Sequence, residues 1–159
     1  LLRQIGQGYV GRIPMPVIML VIITTLATLF LGKSTLGRYI YADGGNEEAV
    51  RLAGINVNNV KRFVYTTSGF LASVSGIILL SRLVSAQPTA GLGQELPVIA
   101  ASIIGGTSLV GGEGMAFAAV LGAAIVGVLK NGIVLLGINT YAQQAMTGTA
   151  TILAVAVDI

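Results

Sequence analysis

The residues able to do chemistry in this chain are few, and their types exclude most of it. No His and no Cys occurs among the 159 residues, and there are six acidic side chains. An imidazole base, a thiol nucleophile, a zinc-finger site and a disulfide are therefore all ruled out. Three acids, Asp43, Glu47 and Glu48, stand close together beside Arg51; the others are Glu95, Glu113 and Asp158. An enzyme acting inside a membrane needs a nucleophile and base, or a metal set, and three scattered carboxylates supply neither. The chain is expected to have no catalytic residue, no metal site and no cofactor.

Two glycine-rich stretches invite a nucleotide reading and fail it. Gly6-Gln-Gly-Tyr-Val-Gly11 fits G-x-G-x-x-G, but that motif follows a strand and opens a helix, whereas Arg-Ile-Pro-Met-Pro follows here. Gly105-Gly-Thr-Ser-Leu-Val-Gly-Gly-Glu-Gly114 lacks the Lys and hydroxyl that hold phosphate and Mg²⁺ in a phosphate loop. Its glycines fit a tight turn between two apolar segments, or unwound backbone lining a cavity. A different chemistry is open to Gln87, Thr89, Gln94, Glu95 and Asn131, with Gln143, Gln144 and Thr147. Polar side chains at membrane depth face a bundle interior or a watery path, and amides and hydroxyls suit a neutral, hydroxyl-rich solute better than an ion. The first five are candidates for a translocation path.

The elements that must position these groups follow from composition. Hydrophobic residues make up 54% of the chain and charged ones 9%, with 22 glycines. So small a charged fraction cannot coat a soluble domain, and it fits a polytopic α-helical membrane bundle, all-α in class. The net charge of +3 does not indicate nucleic acid, because the basic residues form no patch with interleaved aromatics. Ile13–Gly32 is a charge-free run long enough to cross the hydrocarbon core, about 30 Å, with Pro14 and Pro16 tolerated in its first turn. Phe63–Ser81, between Arg62 and Arg82, is a second span. Beyond Glu95, the runs Leu96–Gly112 and Gly114–Leu129 fit either two short spans or a re-entrant segment and one span. A last span starts near Ala142. The total is five spans, or four plus a re-entrant segment. Gly69/Ser73, Ala72/Gly76, Ala101/Gly105 and Ala119/Ala123/Gly127 put small residues one turn apart, where helix backbones approach closely.

The stretch 33–62 carries five of the nine basic residues, which marks it as a cytoplasmic loop and leaves 1–12 and 85–95 outside. Phe30, Tyr39, Tyr41, Phe63 and Tyr65 flank it as an aromatic belt would. Within it, after a bend at Gly44-Gly45, Asn46 is placed to cap a helix whose first turn holds Glu47 and Glu48. Glu47 and Arg51 stand i, i+4, and Gly54 fits the position just past the helix end. A second short helix can start at Asn56. Loops between membrane helices need only a few residues, so a long loop with a built-in helix reads as a docking surface.

At this loop the sequence resembles a known family. Gly37-Arg-Tyr-Ile-Tyr-Ala-Asp-Gly-Gly-Asn-Glu-Glu-Ala-Val-Arg-Leu-Ala-Gly-Ile55 is similar to the cytoplasmic loop of permease subunits in ribose-type ABC sugar importers. Further matching motifs follow in order: Gly11-Arg-Ile-Pro-Met-Pro-Val17, Ser85-Ala-Gln-Pro-Thr-Ala-Gly91, the 105–114 glycine run, Leu129-Lys-Asn-Gly-Ile133 and Leu153-Ala-Val-Ala-Val-Asp158. The resemblance implies a transport subunit in the bacterial inner membrane, of which this chain is the C-terminal half. It also implies cytoplasmic ABC ATPase subunits, a second permease subunit forming a homodimer, an external substrate-binding protein and a small sugar substrate. Carried over, Gly44, Gly45, Asn46, Glu47, Ala49, Leu52, Gly54 and Ile55 form the segment that couples to the ATPase. Asp43 departs from the pattern, since an apolar residue is more usual there, and Thr147-Gly-Thr-Ala-Thr151 is more hydroxylated than expected. Permeases for branched-chain amino acids or nucleosides, and a self-sufficient channel or scaffold, are the alternatives.

Overall fold

The computed structural model describes residues 6–85 and 91–137, together with Gly148, Thr149 and Ile152. Gln87, Thr89, Gln143, Gln144, Thr147 and the expected last span lie outside the described residues, apart from those three positions. The chain divides into two compact units, Leu1–Gly91 and Leu92–Ile159.

In the first unit a short antiparallel hairpin, β1 (Tyr9–Val10) and β2 (Ile13–Pro14), turns through Gly11 and Arg12. Strand leads into hairpin rather than helix, so the dinucleotide reading of Gly6–Gly11 fails structurally as well. Helix α1 (Met15–Lys33, 19 residues) starts with Pro14 at its cap and a proline in its first turn, where no N–H is missed. It is apolar all round and buries none of its own residues, as a helix does when its solvent is hydrocarbon. Its length, about 28 Å at 1.5 Å per residue, matches the bilayer core.

Ser34 ends α1 and caps α2 (Thr35–Gly45): its hydroxyl accepts from Gly37 N at 2.8 Å. The corner is sharp, and Gly37 is buried because a Cβ there would run into the backbone of Leu31. The Gly44-Gly45 bend expected from sequence is thus the last turn of a helix, and the bend itself falls at extended Asn46. Helix α3 (Glu47–Leu52) follows, then α4 (Val57–Leu83, 27 residues). Asn56 does start a helix, but not a short one: its first two turns run without a break into the span expected at 63–81. At about 40 Å, α4 exceeds the hydrocarbon thickness, and the excess, Val57–Arg62, is where α2 and α3 pack. The rings of Phe30 and Phe63 meet at 5.5 Å between centroids, so two of the flanking aromatics join the loop ends of α1 and α4. At the far end of α4, Ser81 is buried and its Oγ accepts from Gly6 N at 2.7 Å.

The second unit is a helical hairpin. Helix α5 (Glu95–Ile104) has ten residues and α6 (Ala116–Leu135) has 20. Only α6 is long enough to cross; α5, at about 15 Å, reaches half-way. Helix α5 is thus shorter than the run expected over 96–112, because the helix closes at Gly105. The expected small-residue contact at Ala101/Gly105 is present and close: a Cβ on Gly105 would strike the carbonyl of Ala118, and one on Gly122 the carbonyl of Ala101. Ala100, Ala101 and Ile103 are buried there. Ala119 shares this contact, its Cα 2.8 Å from the Cβ position of Gly105, but the remaining small-residue positions do not behave this way. Gly69, Gly76 and Gly127 have open space where a Cβ would go. Small residues permit close approach; only a partner helix makes it happen. Three helices, α1, α4 and α6, are long and apolar enough to span a membrane among the described residues.

Candidate functional site: the capped helix between two spans

Helix α3 has six residues, too few to persist alone in water, since helix nucleation costs more than one turn returns. Its ends and its inner face explain why it forms. Asn46 Oδ1 accepts from Ala49 N at 3.0 Å, the N-cap expected from sequence. Glu47 and Glu48 lie in the first turn and Arg51 in the last, with the signs the helix dipole favours. At the other end Gly54 N donates to Arg51 O at 3.1 Å and Ile55 N to Val50 O at 3.3 Å. These two bonds are the Schellman closure, and Gly54 takes the left-handed backbone it requires, φ +80°. The inner face is Val50, buried together with Val57 and Val60 on the first turns of α4. Burial of each valine is worth about 1.5–3 kcal/mol. Asn56 Oδ1 caps α4 by accepting from Asn59 N at 3.2 Å.

The expected coupling residues therefore come together as one connected feature. Gly44 and Gly45 close α2, Asn46 caps α3, Glu47, Ala49 and Leu52 lie on it, and Gly54 and Ile55 close it. All but Ile55 are exposed, and Leu52 is 84% exposed. Glu47, Glu48, Arg51 and Leu52 line a shallow depression of about 330 Å³ on the outer side.

The charges are ordered around Glu47. Its Oε1 pairs with Arg51 at 3.3 Å, and its Oε2 accepts from Lys61 Nζ at 2.5 Å. The hydrogen bond and charge of Lys61 hold the Glu47 carboxyl below the usual carboxylate value, with a smaller contribution from Arg51. Lys61 is what a reading of sequence missed: it lies 14 residues from Glu47, outside any helical spacing rule, and only the folding of α3 onto α4 joins them.

The candidate path residues are more dispersed. Gln94 precedes α5 and makes no side-chain cap bond, Glu95 is the first residue of α5, and Asn131 lies in the last two turns of α6; all three are exposed. Gln94 and Glu95 begin α5, about 15 Å along the helix from the turn, whereas Asn131 lies about 22 Å along α6, so the hairpin does not bring the three to one level. The turn itself repeats the closure seen after α3. Gly106 N donates to Ile103 O at 2.7 Å and Thr107 N to Ser102 O at 3.0 Å, while Ser108 N meets Glu113 O at 3.2 Å. The glycine run is therefore a structured turn, as its composition predicted. Among the described residues no group of His, Cys, Asp or Glu could hold a metal ion.

Comparison with known proteins places this arrangement. Residues 3–155 match the family described as branched-chain amino acid transport system / permease component. The chain is 48% identical over 158 residues to the ribose import permease protein RbsC of Haemophilus influenzae, covering 99% of this chain and 49% of that protein. It is 51% identical over 153 residues to RbsC of Escherichia coli K12, covering 96% and 48%. It is 41% identical over 146 residues to the xylose transport system permease protein XylH of Haemophilus influenzae, covering 92% and 39%. The chain thus spans about half the length, or less, of these relatives. No solved structure matches it. With the family matched along nearly its whole length, the chain belongs to the branched-chain amino acid transport system / permease component family, as a multi-pass helical segment of an inner-membrane transport subunit.

Proposed function

We propose that this chain forms part of the permease subunit of an ABC importer and supplies half of a translocation path for a monosaccharide such as ribose. In this reading 33–62 is cytoplasmic, 85–95 is external, and α3 docks on a cytoplasmic ATPase that hydrolyses the ATP. The observation that carries it is α3 itself. It is a helix closed at both ends, seated by Val50 on the first turns of a membrane span, and exposing Leu52 and Glu48 outward. Such an element passes a push on its outer face into α4 without absorbing it. The sugar class is supported by relatives named for ribose and xylose at 41–51% identity. The family's own description keeps branched-chain amino acids as the second substrate class. A second permease copy and an external substrate-binding protein complete the proposed importer.

The test is a pull-down of the full-length permease from its native membrane, with and without residues 44–55. A nucleotide-binding ATPase subunit that co-purifies only with the intact loop supports the reading, and uptake should be lost in the deletion while membrane insertion is kept. If no ATPase follows the intact protein, or if uptake survives the deletion, the coupling role is wrong and a self-sufficient channel or scaffold takes its place.

A further inference from the structure

The charges around α3 include two residues outside the docking set, Asp43 and Lys61. Three elements each bring one charge: Asp43 from α2, Glu47 from α3 and Lys61 from α4. Lys61 Nζ donates to Glu47 Oε2 at 2.5 Å. Helix α2, which carries Asp43, packs on α4, which carries Lys61, and the Asp43 charge adds to that of Glu47 in favouring the charged ammonium. Yet Asp43 Oδ1 is buried and has no hydrogen-bond partner. A buried carboxylate oxygen without a donor is costly, and an ammonium carries three N–H donors on a flexible stem.

We propose that Lys61 is a positioning residue shared between two carboxylates: it holds α3 through Glu47 in this conformation, and passes to Asp43 when α3 moves off α4. The exchange leaves no charge bare. Glu47 keeps Arg51, which rides on the same helix at 3.3 Å, while Asp43 gains the donor its buried oxygen lacks. Each position of α3 then has its own ion pair, which is the physical requirement for a two-position element. The use of this latch in transport rests on α3 being the docking helix; the latch itself does not.

The test is amide hydrogen exchange on the full-length permease in lipid nanodiscs, read separately for residues 42–46 and 49–55. E47Q should raise exchange of 49–55 about two- to fivefold, the range for a partly exposed ion pair. It should also slow exchange of 42–46 as Lys61 turns to Asp43. In E47Q/D43L the slowing at 42–46 should vanish and the loss at 49–55 should deepen. K61M, which keeps the stem, should lose protection in 49–55, and K61R should restore it. The proposal is overturned if E47Q and E47Q/D43L exchange alike in both segments, or if K61M matches the parent. Capture of the ATPase is measured in parallel. If the parent captures none, the docking reading fails while the exchange data still decide the latch.

Discussion

Replacing Gly122 by Ala tests whether the α5–α6 hairpin is held by direct backbone contact. A Cβ at 122 would lie 2.6 Å from Gly105 N and 3.0 Å from Gly105 Cα, and closer still to Ala101 O. All three atoms are backbone, so no side chain can swing aside; the helices must part by roughly 1 Å to restore ordinary contact distances. Overpacking of this kind costs about 1–3 kcal/mol. It is partly offset by the better helix propensity of Ala, about 0.5–1 kcal/mol. Gly127, on the same helix, has nothing within 4 Å of its Cβ position, so Gly127→Ala collects the propensity gain alone. The two variants should therefore differ by about 2 kcal/mol, with Gly122→Ala the less stable. Calorimetry of the full-length permease in nanodiscs, about twice this chain's length, reads this as a thermal midpoint lower by about 3 °C. If Gly122→Ala melts at or above Gly127→Ala, the close approach of α5 and α6 is not what holds the hairpin.

Further outcomes follow from the loop. Asn46→Ala removes the acceptor for Ala49 N and should cost about 1 kcal/mol of local stability, seen as faster amide exchange in α3, with Asn46→Asp near parental. Gly54→Val places a β-branched residue at φ +80°, a cost of about 1–2 kcal/mol, and should lower uptake while insertion is kept; Gly54→Asn should do far less harm. Leu52→Asp touches a side chain that is 84% exposed, so the thermal midpoint should hold while ATPase co-purification falls. The Glu47 carboxyl is lowered from its ordinary 4.5 chiefly by Lys61. Its contribution to holding α3 is thus complete above that value and is lost as pH falls through the lower folded value. Carboxyl NMR of Glu47 should show a midpoint below 4.5 that returns toward it in Lys61→Met.

Much of this protein is decided by composition and short-range pattern. Charge-free runs of bilayer length specify helices wherever water is absent, because no other backbone geometry satisfies every N–H and C=O within one segment. That is why α1 and the body of α4 are legible from residue types alone, while α6 is legible only to Leu129, its continuation through Lys130 to Leu135 crossing a charge. The caps of α3 are legible for a similar reason: Asn46, Glu47 and Gly54 act on backbone groups within four residues of themselves, so their spacing is their structure. Tertiary structure decided what depends on distant partners. Whether Gly44-Gly45 bends or closes a helix depended on α2 finding α4 to pack against. Which small-residue faces are contacts depended on which helix had a neighbour, and Gly122 gained its role from Ala101 and Gly105, while Gly69 and Gly76 gained none. The length of α5 was set by the closure after Ile104, which ends the helix well before the end of its apolar run. Above all, the joining of Lys61 to Glu47 across 14 residues has no local signature, because an ion pair between elements exists only once packing has brought them together.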